Sequence, residues 1–228
     1  MGQKIHPYGF RVGITRPWRS RWYARKATFG KLLVEDQRIR AHILENYKES
    51  SIPCVEIERK GDDRITVFIH TAKAGTLLGK KTNRLTELEK EISDLTGGKQ
   101  VDTRLVDVQK PELDATLAAM RIAEQIERRI AFRRAAKREQ ETIQQAGALG
   151  LKILLSGRLG GAELARREKI VWGSVPLNTL SADVDYGFFE AKTSYGTIGI
   201  KVWINKGKIK TAEEENEERA AKGGNSWR

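Results

Sequence analysis

Apolar positions along the chain recur with two periods, and the switches between them outline two units. From Thr28 to about Lys48, Ile39, Ile43 and Tyr47 recur at spacing four, which predicts an amphipathic helix stopped by Ser50, Ser51 and Pro53. The next segment, CVEIERK, alternates Val55 and Ile57 with Glu56 and Glu58, the period of a half-buried strand. Gly61-Asp62-Asp63 turns the chain, and Ile65, Val67 and Ile69 make the return strand. A short helix, a loop at Gly79 and a helix carrying Leu85, Leu88, Ile92 and Leu95 follow, closed by Gly97-Gly98. Val101, Thr103 and Leu105 then alternate through a third strand between Gln100 and Val108. The predicted order is helix, strand, strand, helix, helix, strand.

Pro111 opens the second unit. Ala119, Ile122, Ala123, Ile126 and Ile130 fall in one stripe, and the pattern reads as a single long helix from Glu112 to about Gln145. Its last third changes character, because Arg128, Arg129, Arg133, Arg134, Lys137 and Arg138 occur without an intervening acid. At about 100° per residue, Arg133 and Lys137 continue the apolar stripe while Arg128, Arg134 and Arg138 point elsewhere, so this end is expected to leave its own core. Cations near a helix C-terminus gain ~0.3–1 kcal/mol apiece from the helix dipole, too little to account for such a cluster. A nucleic-acid contact is therefore favoured over a solvated face. Beyond Gly150, Leu151–Leu155, Ala162–Trp172, Asn178–Phe189 and Thr197–Ile204 read as strands, with a loop at Ser156–Gly161 and a turn at Ser194-Tyr195-Gly196. The fold class is α+β: a three-stranded sheet with helices on one face, then a long helix packed on a mostly antiparallel sheet. The tail from Thr211 carries an acidic cluster, Glu213 to Glu218, and reads as helical at first and then disordered.

Charge sharpens this picture. In 228 residues, Lys+Arg 42 against Asp+Glu 30 leaves a net charge of +12, which points to a polyanionic partner. The excess is uneven: Lys4, Arg11, Arg16, Arg19, Arg21, Arg25, Lys26 and Lys31 precede the first acid, Glu35. Trp18, Trp22 and Tyr23 interleave with these arginines. Arginines neutralise phosphates and aromatic faces stack on bases, but the same tryptophans could anchor the arm to its own domain; both readings stand. Cys54 is alone, which excludes a disulfide framework and fits a reducing compartment. His6, His42 and His70 are scattered and supply no zinc set, so no metal or cofactor is expected. No run approaches the ~20 apolar residues of a membrane span. The opening MGQKIHP has no apolar signal core, and position six is His rather than Ser or Thr; a soluble intracellular protein is expected.

Catalytic motifs fail on inspection. GTLLGKKT, Gly75 to Thr82, is one residue short between its glycines for a nucleotide-binding loop, and Lys81 stands where the magnesium-binding hydroxyl belongs. Asp183 and Asp185 share a strand face and could hold magnesium, yet salt bridging to local cations is the simpler account. Ser156 lacks the flanking glycines of a nucleophile elbow. The chain is not read as an enzyme. What remains at Gly79-Lys80-Lys81 is a phosphate contact, a glycine and two cations between helices.

That loop, with the element order around it, resembles the KH RNA-binding domain in its type II topology, which grips about four nucleotides at a G-x-x-G loop. Thr82 departs from the pattern at the fourth position, where a β-branched residue restricts backbone approach and its hydroxyl could cap the next helix. The resemblance extends further. GQKIHPYGFRVGITRPW, LLGKKT, VQKPELDATLAAMRIAEQIERRIAFRRAAKR, SGRLGGAELAR, VPLNTLSADVDY and YGTIGIKVWINKG resemble, in that order, the family of bacterial small-subunit ribosomal protein three. The resemblance implies a structural constituent of the small-subunit head that binds small-subunit (16S-type) rRNA, with the tenth and fourteenth small-subunit proteins as neighbours. With the fourth and fifth such proteins, the family lines the channel by which mRNA enters. The family's basic positions there match Arg133, Arg134 and Lys137. Lys4, Arg11, Arg16, Arg19 and Arg21 become rRNA-binding arm residues, and Gly79, Lys80 and Lys81 the KH-loop contact. The division implied is an arm at 1–16, a KH domain at 17–110, a C-terminal domain at 111–210 and a tail at 211–228, on a cytoplasmic or organellar ribosome. The competing reading is a free KH-type RNA chaperone or regulator acting off the ribosome, which needs neither the arm nor the second domain. An RNA-directed nuclease using Asp183 and Asp185 is the third.

Overall fold

A computed structural model describes residues 4–61, 64–78 and 84–208. The chain enters through α1 (Pro7–Arg11), capped at its N-terminus by His6, whose Nδ1 accepts from Gly9 N–H at 3.3 Å. A two-residue strand, β1 (Ser20–Arg21), follows. It was not predicted from the pattern, being too short to carry a period. Next comes α2 (Lys26–Asn46), burying Ile39 and Ile43. β2 (Cys54–Lys60) and β3 (Arg64–Thr71) pair antiparallel, with Val55 opposite Ile69 and Ile57 opposite Val67. α3 (Ala74–Leu78) and α4 (Arg84–Leu95) lead to β4 (Gln100–Asp107), which lies parallel to β3. The helix–strand order is as predicted, and β1 adds a fourth strand, giving the sheet order β1-β2-β3-β4.

One core fills this unit. Ile39, Ile43, Leu77, Leu88 and Ile92 from the helices meet Val55, Ile57, Ile65, Val67 and Ile69 from one sheet face. Alternation therefore decides which face is dry, as a period-two pattern must. The segment just after the arm is locked to it through Asp36, whose carboxylate is fully buried. It accepts from Ser20 Oγ at 3.0 Å, Trp22 Nε1 at 2.8 Å, and Arg59 Nε and Nη2 at 3.0 and 2.6 Å. Four donors satisfy a charge that would otherwise be prohibitive to bury.

The second unit departs from the single long helix expected. After a 3-10 turn at Pro111–Leu113, α5 runs from Ala115 to Glu127 and a separate helix, α6, from Phe132 to Gln145. Asp114 caps α5 by accepting from Thr116 and Leu117 N–H at 2.9 and 3.0 Å. The break is a Schellman end: Ile130 N–H reaches Gln125 O at 3.0 Å, Arg129 N–H reaches Ile126 O at 2.9 Å, and Arg129 takes φ 61°. Arginine thus occupies the left-handed position that glycine usually fills.

β5 (Gly150–Gly157), β6 (Arg166–Gly173), β7 (Ala182–Thr193) and β8 (Gly196–Lys208) form a sheet ordered β6-β5-β8-β7. Every pairing is antiparallel, not merely most. Both helices lie on the face carrying Leu151, Ile153, Leu155, Ile198, Ile200, Val202 and Ile204. α5 packs directly on the sheet at Gly187, where an added Cβ would stand 2.2 Å from Ala115 O. The two main cores share no residue.

Candidate nucleic-acid interface

The helix break decides how the basic run is presented. In one straight helix Arg133 and Lys137 would face the core. Instead α6 restarts with a new phase, burying Ala135, Ala136, Glu139 and Ile143, and Arg133, Arg134, Lys137 and Arg138 are all exposed. The expectation that this end leaves its core is thereby corrected: it turns back onto the sheet and shows its cations outward. The dipole reasoning also inverts. These cations lie in the N-terminal half of α6, where the helix field opposes positive charge by ~0.3–1 kcal/mol each in the first turn. No side chain caps that end. The local helix is therefore less stable for having them.

Their surroundings are distinct. Arg133 Nε donates to Glu168 Oε1 on β6 at 2.9 Å, and the Arg133 and Arg166 guanidinium carbons lie 5.6 and 5.8 Å from the Phe132 ring centre. Arg134, Lys137 and Arg138 form no ion pair with any described residue. With Arg133 and Glu141 they line a shallow depression of about 600 Å³. Behind them the buried Glu139 carboxylate takes Arg121 Nε on both oxygens at 3.1 Å. Burial raises its pKa against the pull of Arg121. Phe132 and Arg166 were not singled out from sequence; Arg166 arrives from a strand more than thirty residues on, and no local spacing announces it.

The arm residues divide. Lys4 and Arg19 are exposed, Arg19 standing 4.4 Å over the Tyr8 ring. Arg21 is paired with Glu56 at 3.0 Å and Glu58 at 2.8 Å. Arg16 pairs with Asp183. Arg11 corrects its expected role: it is fully buried, donating to Ala182 O at 2.9 Å, Thr179 O at 2.8 Å and Pro7 O at 3.1 Å. A guanidinium so enclosed has no donor to offer a phosphate; it seats the arm on the second unit. Trp22 likewise anchors the segment just after the arm through Asp36, whereas Trp18 and Tyr23 are exposed. Gly79, Lys80, Lys81 and Thr82 lie outside the described residues, so the loop is bounded only by α3 and α4.

Asp183 and Asp185 are held by cations, as the simpler account had it. Asp185 takes Lys206 Nζ at 3.1 Å and Ala115 N–H at 3.2 Å. Among the described residues no cluster of His, Cys, Asp and Glu has metal-binding geometry, and no helix is long and apolar enough to cross a membrane.

With the geometry in hand, comparison with known proteins is decisive. A family model for the KH domain matches residues 38–113, and one for the ribosomal protein S3 C-terminal domain matches 122–204. The small ribosomal subunit protein uS3 of Lactobacillus johnsonii is 48% identical over 225 residues, 99% of this chain and 100% of that protein. The chain belongs to the uS3 family. Caldicellulosiruptor bescii uS3 is 49% identical over 209 residues, covering 92% of this chain and 94% of its own length. Hyphomonas neptunium uS3 is 51% identical over 209 residues, 92% and 84% respectively. As a uS3-family member with a KH domain, the chain is a structural, non-enzymatic protein of the small ribosomal subunit.

Proposed function

We propose that the chain holds small-subunit rRNA in the subunit head and lines the channel by which mRNA enters, gripping mRNA with Arg133, Arg134 and Lys137. The observation that carries this is the exposed cation set at the wrong end of a helix for stability, in which Arg134 and Lys137 have no ion pair among the described residues and Arg133 meets only Glu168. Exposed cations so placed, two of the three without a carboxylate among the described residues, are accounted for by a polyanion that supplies the missing charge. Guanidinium groups bind phosphates through paired N–H donors, and a single strand presents its phosphates without a partner strand. A cation row at the entrance therefore holds the incoming strand by its phosphates, while translocation by the ribosome supplies the work that pulls a hairpin apart.

The remaining parts fit around that face. In this reading the arm (1–16) and the KH unit (17–110) meet rRNA through Lys4, Arg19 and the Gly79-Lys80-Lys81 loop. The C-terminal unit (111–210) carries the mRNA face. The tenth and fourteenth small-subunit proteins adjoin it, and the fourth and fifth complete the entrance. The site of action is the cytoplasmic ribosome. The test is a subunit carrying Arg133→Ala, Arg134→Ala and Lys137→Ala. Normal incorporation with slowed passage through a stable mRNA hairpin is expected; normal incorporation with unchanged speed contradicts the assignment. Sedimentation of the native protein away from small subunits would instead favour a free RNA regulator.

A further inference from the structure

α5 and α6 cover one face of the C-terminal sheet. On the other, strand register lines side chains into rows across β6, β5, β8 and β7. Arg167, Ser156, Gly199 and Glu190 make one; Lys169, Leu154, Lys201 and Phe188 the next; Val171, Lys152, Trp203 and Tyr186 the third. The chain itself covers much of the third row: His6 meets the Tyr186 ring edge-on at 4.7 Å, and Val175 and Leu177 pack with Trp203. Among the described residues the first two rows stay open. Phe188 is 45% exposed there, and Arg167, Lys169 and Lys201 are exposed around it.

Two features of this open half bear on what it takes. The first is charge. Lys152, Arg167, Lys169 and Lys201 share the three rows with one acid, Glu190. Burial, and behind it the nearby cations Lys4 and Lys169, hold the Lys152 ammonium below its ordinary value. The second is shape. Lys201 Nζ stands 5.9 Å from the Phe188 ring centre, and beside the ring Gly199 has no side chain; a Cβ there would lie 3.7 Å from Phe188 Cε2. On that flank the ring has a bare glycine and the small Ser156 hydroxyl, which the same Cβ would approach to 3.2 Å. Exposed aromatics on a four-stranded sheet, flanked by cations, are how single strands are stacked and neutralised together.

We infer that the outer face of the C-terminal sheet binds a single-stranded RNA segment, stacking a base on Phe188 and neutralising phosphates with Lys201, Lys169 and Arg167. This site lies on the side of the sheet opposite α6, so it is separate from the proposed mRNA grip. Its test uses the full chain carrying Arg133→Ala, Arg134→Ala and Lys137→Ala, so that failure of one reading leaves the other standing. The probe is an oligouridylate of about a dozen nucleotides containing 4-thiouridine. Crosslinks to the β7–β8 hairpin are expected. Phe188→Leu should weaken binding about tenfold and Phe188→Tyr should leave it intact. Lys169→Ala with Lys201→Ala should reduce the salt slope by about 1.4. Unchanged circular dichroism in each variant establishes that folding is not the cause. Equal binding by Phe188→Leu, or crosslinks confined to other elements, overturns the site. Competition by polyglutamate as strong as by oligouridylate, insensitive to Phe188, would mark the face as a dock for an acidic protein instead.

Discussion

Replacing Arg133, Arg134 and Lys137 by alanine is expected to weaken RNA binding while leaving the protein as stable as before, or more so. The sign comes from where α6 begins. Phe132 is its first residue, so Arg133 and Arg134 lie in the first turn, against the dipole, and Lys137 one turn on. Removing the first two relieves ~0.6–2 kcal/mol. Against this stands the Arg133–Glu168 pair, whose arginine side chain is 65% exposed, and such pairs are worth ~0–1 kcal/mol. The balance runs from a loss of ~0.4 to a gain of ~2 kcal/mol, a Tm that is nearly unchanged or raised. The gain should shrink with added salt, which screens both contributions. On the RNA side each phosphate-neutralising cation adds ~0.7 to the salt slope for a single strand, so the variant should lose about 2. Thermal melting and filter binding across a salt series measure the two quantities on one sample. A Tm lowered by several degrees with an unchanged slope would refute the reasoning, because the cations would then be holding the fold.

Three other outcomes follow from the packing. Asp36→Ala should cost ~3–5 kcal/mol in urea unfolding followed by tryptophan fluorescence, since it leaves the Ser20 and Trp22 donors without their acceptor and Arg59 with Glu35 alone, and adding Arg59→Met should not restore stability. Gly187→Ala should lower stability by ~1–3 kcal/mol or more, because its methyl meets the Ala115 carbonyl and α5 must shift; thermal melting reads it directly. Glu139→Gln should make the protein relatively most stable at neutral pH. The folded state binds the Glu139 proton more tightly than the unfolded chain, so ionisation destabilises above the raised pKa, and that penalty fades as pH falls toward 4.5. The stability difference between variant and parent should therefore narrow with acidification, and a difference independent of pH would show that Glu139 is not strained by burial.

Much of the fold was legible in the chain because short-range periods carry it. Val55, Ile57, Ile65, Val67 and Ile69 alternate, and only one sheet face can then be dry. The basic run and its function class were legible for a similar reason: six cations without an acid need a partner wherever they lie. Even the helix break has a signal in the sequence. At about 100° per residue, Ala135 falls about 180° from Ile126, so the two apolar stripes cannot belong to one straight helix. No glycine or proline marks the break, because Arg129 takes the left-handed position itself.

Other features have no local trace. Arg11 reads as one more arm cation, and only the carbonyls of Thr179 and Ala182, brought from the far end of the chain, make it a buried anchor. Arg134 and Arg16 are the same residue type in equally basic stretches. One is exposed without an ion pair among described residues; the other meets Asp183. The sequence by itself determined the elements, the two units and the need for a polyanion, since these depend on spacing and net charge. Tertiary structure alone decided which cations are free to meet it. That depends on which carboxylates and carbonyls the fold brings within a few ångströms, across separations that no period along the chain can encode.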